Sequence, residues 1–106
     1  MKKELIKDGS FTYAKIPEEE FKKLNEISFD DMFISYEQIS EVQGILGIDI
    51  NDDIEYIRAI RNSIVRYYGD KASKYYNENT HDFENHKKYQ VRLSAITCAL
   101  DVFLEA

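Results

Sequence analysis

Arg58, Asn62 and Arg66 follow one another at intervals of four residues, so on a helix they share one face, with Arg61 beside them. Three of the four arginines in the chain are gathered in this stretch. A guanidinium presents paired N–H donors that match a carboxylate or a phosphate, and arginine and asparagine are the side chains that read guanine and adenine edges. The group therefore has three uses open to it. It can pair internally, Glu55 with Arg58 or the arginines with acids of the first half, it can hold an anionic partner, or it can contact DNA.

Other chemistries find less to work with. His81 and His86 are five apart and would not share a helical face, while Asp82 and His86 are four apart and make half a metal site at most. His-Glu-x-x-His and paired Glu-x-x-His patterns are absent, so no metal and no cofactor is expected. There is no Gly-x-Ser-x-Gly elbow and no glycine-rich phosphate loop. Cys98 is the single cysteine and sits in an apolar segment, which reads as a small buried hydrophobe. With no internal disulfide to form, the expected location is the reducing cytoplasm. On these grounds the chain is expected not to be an enzyme.

Two segments resemble known families. Arg61-Asn62-Ser63-Ile64-Val65-Arg66-Tyr67-Tyr68 resembles the ribonuclease motif of HEPN-domain proteins, an all-helical family in which an Arg-Asn pair is followed by a histidine and often a tyrosine. The position of the catalytic histidine is Arg66 here. Arginine stays protonated near neutral pH and cannot serve as a general base, so the resemblance implies an inactive member. Residues 39–69, where Gly47-Ile48-Asp49 leads into an acid-capped amphipathic helix, are similar to the opening helices of small phage head–tail connector proteins. The last helix would match their C-terminal one. The spacing between them is about a turn short, the first 34 residues have no counterpart, and the shared features are generic helix signals.

Charge is unevenly spread. The net charge of −6 divides into −7 for residues 1–53 and +1 for residues 54–106. Residues 18–53 hold eleven acids against Lys22 and Lys23. Such a field repels phosphate and attracts basic surfaces. Glu18, Glu19, Glu20, Asp30, Asp31, Glu37 and Glu41 are the expected contacts to a basic protein, with Tyr36 as an aromatic anchor.

The elements that must position these residues are mostly helical. Glycine and proline are sparse, with Pro17 the only proline, and the 106 residues suffice for one domain, 1–106. Residues 9–16 alternate partly and predict one short strand, pairing near Met32-Phe33-Ile34 or packing as coil. Pro17 should open the first helix, with Glu18, Glu19 and Glu20 in its first turn. Ser35 and Gln38 have capping-box spacing, Ile34 and Ile39 can form a staple, and Gly47 can end that helix in the left-handed conformation. A third helix is expected over 51–68, ending at Gly69, with a short restart at 71–76. The longest helix should run from about Asp82 to Leu104, with His86, Tyr89, Leu93, Ile96, Leu100 and Phe103 as a heptad-like seam.

The expected fold is therefore a mainly α, four- to five-helix bundle with a short extended N-terminal segment. No apolar run is long enough for a membrane span, and the opening residues lack the apolar stretch of a signal peptide. The expected function is that of a non-enzymatic protein-binding factor, of inhibitor, immunity or phage-assembly type, presenting an acidic surface to a basic partner. The alternative is a helix-turn-helix DNA-binding protein, with helix 51–68 as recognition helix and Arg58, Arg61, Asn62 and Arg66 as contacts. A homodimer through the 86–103 seam is a further expectation.

Overall fold

The computed structural model describes residues 2–29, 34–76 and 82–104. Asp30, Asp31, His81 and the Met32-Phe33 part of the expected pairing segment lie outside them. The element order is β1 (Leu5–Asp8), β2 (Phe11–Ala14), α1 (Glu18–Glu26), α2 (Tyr36–Leu46), α3 (Ile54–Tyr75) and α4 (Phe83–Leu104). The described chain is thus mainly helical, with four helices and one two-stranded antiparallel sheet.

The expected lone strand is half of a hairpin. β1 and β2 pair with Leu5 opposite Ala14 and Asp8 opposite Phe11, which leaves Gly9-Ser10 as a two-residue turn. Gly9 has φ +65°, the conformation that the first central position of a primed hairpin turn requires. Gly9-Ser10 is a sequence signal for such a turn, and the charged residues of β1 obscure it.

The hairpin stands on α3 by one edge. The Ser63 hydroxyl accepts from the Ala14 N–H at 2.8 Å and donates to the Ala14 carbonyl at 2.7 Å. The Asn62 amide donates to the Thr12 carbonyl at 3.0 Å. The outward polar groups of β2 are thereby met by side chains of a helix where a third strand would otherwise be needed.

α3 and α4 run antiparallel. His86 Nδ1 lies 2.7 Å from the Ala72 carbonyl near one end, and Arg61 meets Asp101 near the other. Ile60, Ile64 and Tyr68 of α3 and Ile96 and Leu100 of α4 are buried in one core cluster. Burying an aliphatic side chain of this size contributes about 1.5–3 kcal/mol, so this pair is the main stabilising unit. α3 runs unbroken through Gly69, where an end and a restart were expected. A helix-interior glycine costs about 1 kcal/mol, which the burial of Tyr68 and Ala72 on either side of it outweighs. Asp53, rather than Asn51 or Asp49, occupies the N-cap of α3, without a side-chain capping bond.

α2 has its expected start and stop. Ser35 and Gln38 form both halves of the capping box, and Gly47 adopts φ +67°. Ile34 and Ile39 both pack against the core. α2 lies against α4 and α1, and the Gln43 amide donates to the Ala99 carbonyl at 3.3 Å. α1 packs its Phe21 ring flat on Tyr67 with centroids 3.8 Å apart, and edge-on to Tyr68.

The N-terminal segment is tied down through Lys3. Its ammonium pairs with Glu20 at 2.8 Å and donates to the Leu46 carbonyl, and its N–H donates to the Tyr56 hydroxyl. One residue therefore links α1, the end of α2 and the start of α3 at the root of the hairpin.

Candidate protein-interaction site

The acids expected to form a contact surface divide into two groups. Glu20 is turned inward, its side chain 20% exposed and paired with Lys3, itself 10% exposed. Removing either partner would strand a largely buried charge, so Glu20 is a structural residue rather than a contact. Glu18, Glu19, Glu37 and Glu41 are exposed, and among the described residues none has a lysine or arginine within ion-pair distance. Glu18 and Glu19 occupy the first turn of α1, where the helix dipole favours a negative charge.

α2 presents a continuous outer face. Tyr36, Glu37, Ser40, Glu41 and Gly44 are all exposed, while Val42 and Leu46 are buried on the opposite side. Tyr36 is 90% exposed at the first helical position, beside two carboxylates. A side chain added at Gly44 would meet nothing within 4 Å. The face thus combines an aromatic, two acids and a stretch where another backbone can come close.

The arginines are distributed differently. Arg61 donates to Asp101 at 2.8 Å, with both side chains about a third exposed (37% and 33%). Arg66 lies 3.5 Å from Asp8 and covers the Tyr13 ring at 5.0 Å. Asn62 holds the hairpin. Only Arg58 is exposed and without an ion pair among the described residues. Internal pairing, including pairing across to an acid of the first half, is therefore how Arg61 and Arg66 are used.

The hairpin divides this face in two. On one side is an open cleft of about 940 Å³, which includes Lys7, Phe11, Arg58, Arg61, Asn62 and Asp101. On the other, Arg66 sits with Ile6, Tyr13, Phe21 and Tyr67. The residues that resemble the ribonuclease motif thus do not converge on one polar pocket. Nor does α3 stand free as a recognition helix would, because the hairpin lies along it and α2 packs on α4 and α1.

Three other expectations are corrected or relocated. Cys98 is exposed, not buried, because the helical phase of α4 turns Ala95, Ile96, Ala99 and Leu100 inward and leaves Ser94, Cys98 and Val102 outside. The seam expected to make a dimer faces the core instead: Ile96 and Leu100 are fully buried, and Tyr89, Leu93 and Phe103 pack against them. His86 belongs to the helix contact with Ala72, and its ring lies 4.7 Å from that of Tyr76. Among the described residues no cluster of His, Cys, Asp and Glu can hold a metal ion, and no helix is long and apolar enough to cross a membrane.

Burial pushes the Tyr68 phenol well above its ordinary range, with the neighbouring Tyr67 a secondary cause. Its hydroxyl donates to Asn25 Oδ1 at 2.8 Å, so the neutral form is both desolvated and hydrogen-bonded. This tyrosine is a core tie between α1 and α3 and is not placed for acid–base chemistry. Comparison of the chain with protein-family models, curated proteins and solved structures yields no match.

Proposed function

We propose that this protein is a non-enzymatic binding factor whose acidic face, on the first turn of α1 and the outer side of α2, engages a basic surface of another protein. The observation that carries the reading is Tyr36, an aromatic 90% exposed beside the unpaired carboxylates of Glu37 and Glu41. Interface anchors are enriched in tyrosine, and a rim of like charge steers a partner of opposite sign. No lysine or arginine among the described residues lies within ion-pair distance of these acids, so their carboxylates remain open to a partner. An inhibitor, an immunity protein or an assembly factor acts through such a surface.

The test uses immobilised protein in extract of its native host. The wild-type chain should retain a basic protein at low salt and release it at high salt, as exposed charge pairs are screened. The variant carrying Glu18→Lys, Glu19→Lys, Glu37→Lys and Glu41→Lys should retain none of it, and Tyr36→Ala should weaken retention at unchanged salt dependence. Equal retention by the charge-reversed variant would sink the reading. Salt-sensitive binding of duplex DNA, abolished by Arg58→Ala with Arg66→Ala, would replace it with the helix-turn-helix alternative. RNA cleavage by highly purified protein, lost in Arg61→Ala, would overturn its non-enzymatic part.

A further inference from the structure

The two edges of the hairpin are not equivalent. On β2 the outward groups of Thr12 and Ala14 are met by Asn62 and Ser63. On β1 the antiparallel register turns the N–H and C=O of Leu5 and Lys7 away from β2, because Leu5 opposite Ala14 and Lys7 opposite Thr12 are the non-hydrogen-bonded pairs. Among the described residues these four groups meet no protein partner. The strand carrying them is exposed along its whole length, and Leu5 and Ile6 are each 42% exposed. An open edge with apolar side chains is a template for another strand.

Charge decides which strand. A second copy can pair antiparallel with this edge in three registers that match outward groups to outward groups. Centred on Ile6, the register sets Glu4 directly opposite Asp8 of the second copy. Centred on Lys7 it sets Lys7 opposite itself, and centred on Leu5 it needs the N–H of Lys3, which is already given to the Tyr56 hydroxyl. Like charges directly opposite destabilise the first two of these pairings, and the occupied Lys3 N–H withholds backbone bonds from the third, so β1 discriminates against its own copy. Glu4 and Asp8 lie on the same face as Ile6, held only by loose surface pairs to Lys15 at 3.3 Å and Arg66 at 3.5 Å. A strand with a cation opposite each of them and an apolar residue between satisfies both charge and burial.

We propose that β1 is a strand-addition site for an extended segment of a partner protein with the pattern cation, any residue, apolar residue, any residue, cation, paired antiparallel across Leu5–Lys7. This site stands on the hairpin and does not depend on the acidic face of α1 and α2. Backbone hydrogen bonds at Leu5 and Lys7 supply affinity, and the two cations supply selectivity.

The experiment titrates the isotope-labelled full chain with the peptide acetyl-Thr-Lys-Thr-Val-Thr-Lys-Thr-amide and reads amide shifts and hydrogen exchange. The expected result is that shifts are confined to the hairpin and that exchange slows about tenfold or more at Leu5 and Lys7. Without a bonding partner among the described residues, both amides should exchange fast in the unliganded protein. Replacing both peptide lysines by glutamate should weaken binding about tenfold. N-methylating the two threonines that flank the peptide valine, which face Leu5 and Lys7, should abolish it.

On the protein side, Lys7→Pro removes an outward donor while leaving the Ile6 and Asp8 bonds to β2, and should also abolish binding. Glu4→Lys with Asp8→Lys should reverse the preference toward the glutamate peptide, and this variant keeps the proposal testable should Lys7→Pro unfold the hairpin. Equal binding of both peptides would overturn the proposal. So would shifts located at Glu37 and Glu41 instead of the hairpin, or protection of Leu5 and Lys7 that grows with protein concentration in the absence of peptide, since the latter means self-pairing.

Discussion

Single side chains with two tasks hold this structure together. Ser63 satisfies the donor and the acceptor of Ala14 at once, and its replacement by alanine leaves both unmet in a half-buried setting. Ser63→Ala is therefore expected to cost about 1–3 kcal/mol in urea denaturation, well above an ordinary surface substitution. Arg61 and Asp101 form a comparable bond in partly solvated surroundings, and Asp101→Asn should cost only about 1 kcal/mol or less. Tyr68 makes a different prediction. Its raised pKa means that the folded state holds the phenolic proton more tightly than the unfolded chain does. That stabilisation is complete below the unfolded tyrosine value of about 10 and is lost as pH rises through and above it. Denaturation midpoints should fall steeply above about pH 10 in the wild type and less steeply in Tyr68→Phe, which is expected to be weaker at neutral pH through loss of the Asn25 bond. The chain itself announces the arginines as chemically interesting. That Arg61 meets Asp101 and Arg66 meets Asp8 depends on helix phase and hairpin placement, which spacing along one helix does not contain.

Local chemistry was legible where it is local. The capping box at Ser35 and Gln38 and the left-handed Gly47 are read directly from residue types within one helix, because the bonds they make span only a few positions. Ser35→Ala should accordingly lower stability by about 1 kcal/mol. Gly47→Ala should do so as well, since alanine is strained at φ +67°. Gly44→Ala should act in the opposite direction, adding up to about 1 kcal/mol, because the site is helical and the new methyl group meets nothing. If the outer face of α2 is a contact surface, the same substitution should weaken partner retention while raising the thermal midpoint. Gly69 shows the limit of such reasoning. As a residue it signals a helix end, and only the packing of Tyr68 and Ala72 against the rest of the core carries α3 through it. Cys98 shows a related limit: an apolar neighbourhood along the chain includes both faces of α4, and the outer one is exposed.

At the scale of the whole molecule, charge and scaffold separate. The antiparallel pair of α3 and α4 shares the core with the inner faces of α1 and α2, through Phe21, Leu24, Val42 and Leu46, while the acids of the first half lie largely outward. The mainly helical class followed from composition and periodicity, which average over many residues. The hairpin did not, because its strands are only four residues long and their placement on α3 is a tertiary fact. The acidic surface was legible as composition, yet Glu20 looked the same as Glu18 and Glu19, and only the position of Lys3 takes it out of that surface. A net charge of −6 also implies self-repulsion at low ionic strength. The thermal midpoint is expected to rise as salt is added from low levels, and the variant with four Glu→Lys changes should lose that dependence.

The mooring of β2 on α3 joins positions about fifty apart in the chain, whereas α3 and α4 are neighbours. Closing a long loop delays a contact during folding, so the helical pair should form first and the hairpin should settle onto it late. Ser63→Ala would then leave the refolding rate nearly untouched and show itself almost wholly as faster unfolding, a kinetic signature that stopped-flow measurement can separate from a general weakening of the core.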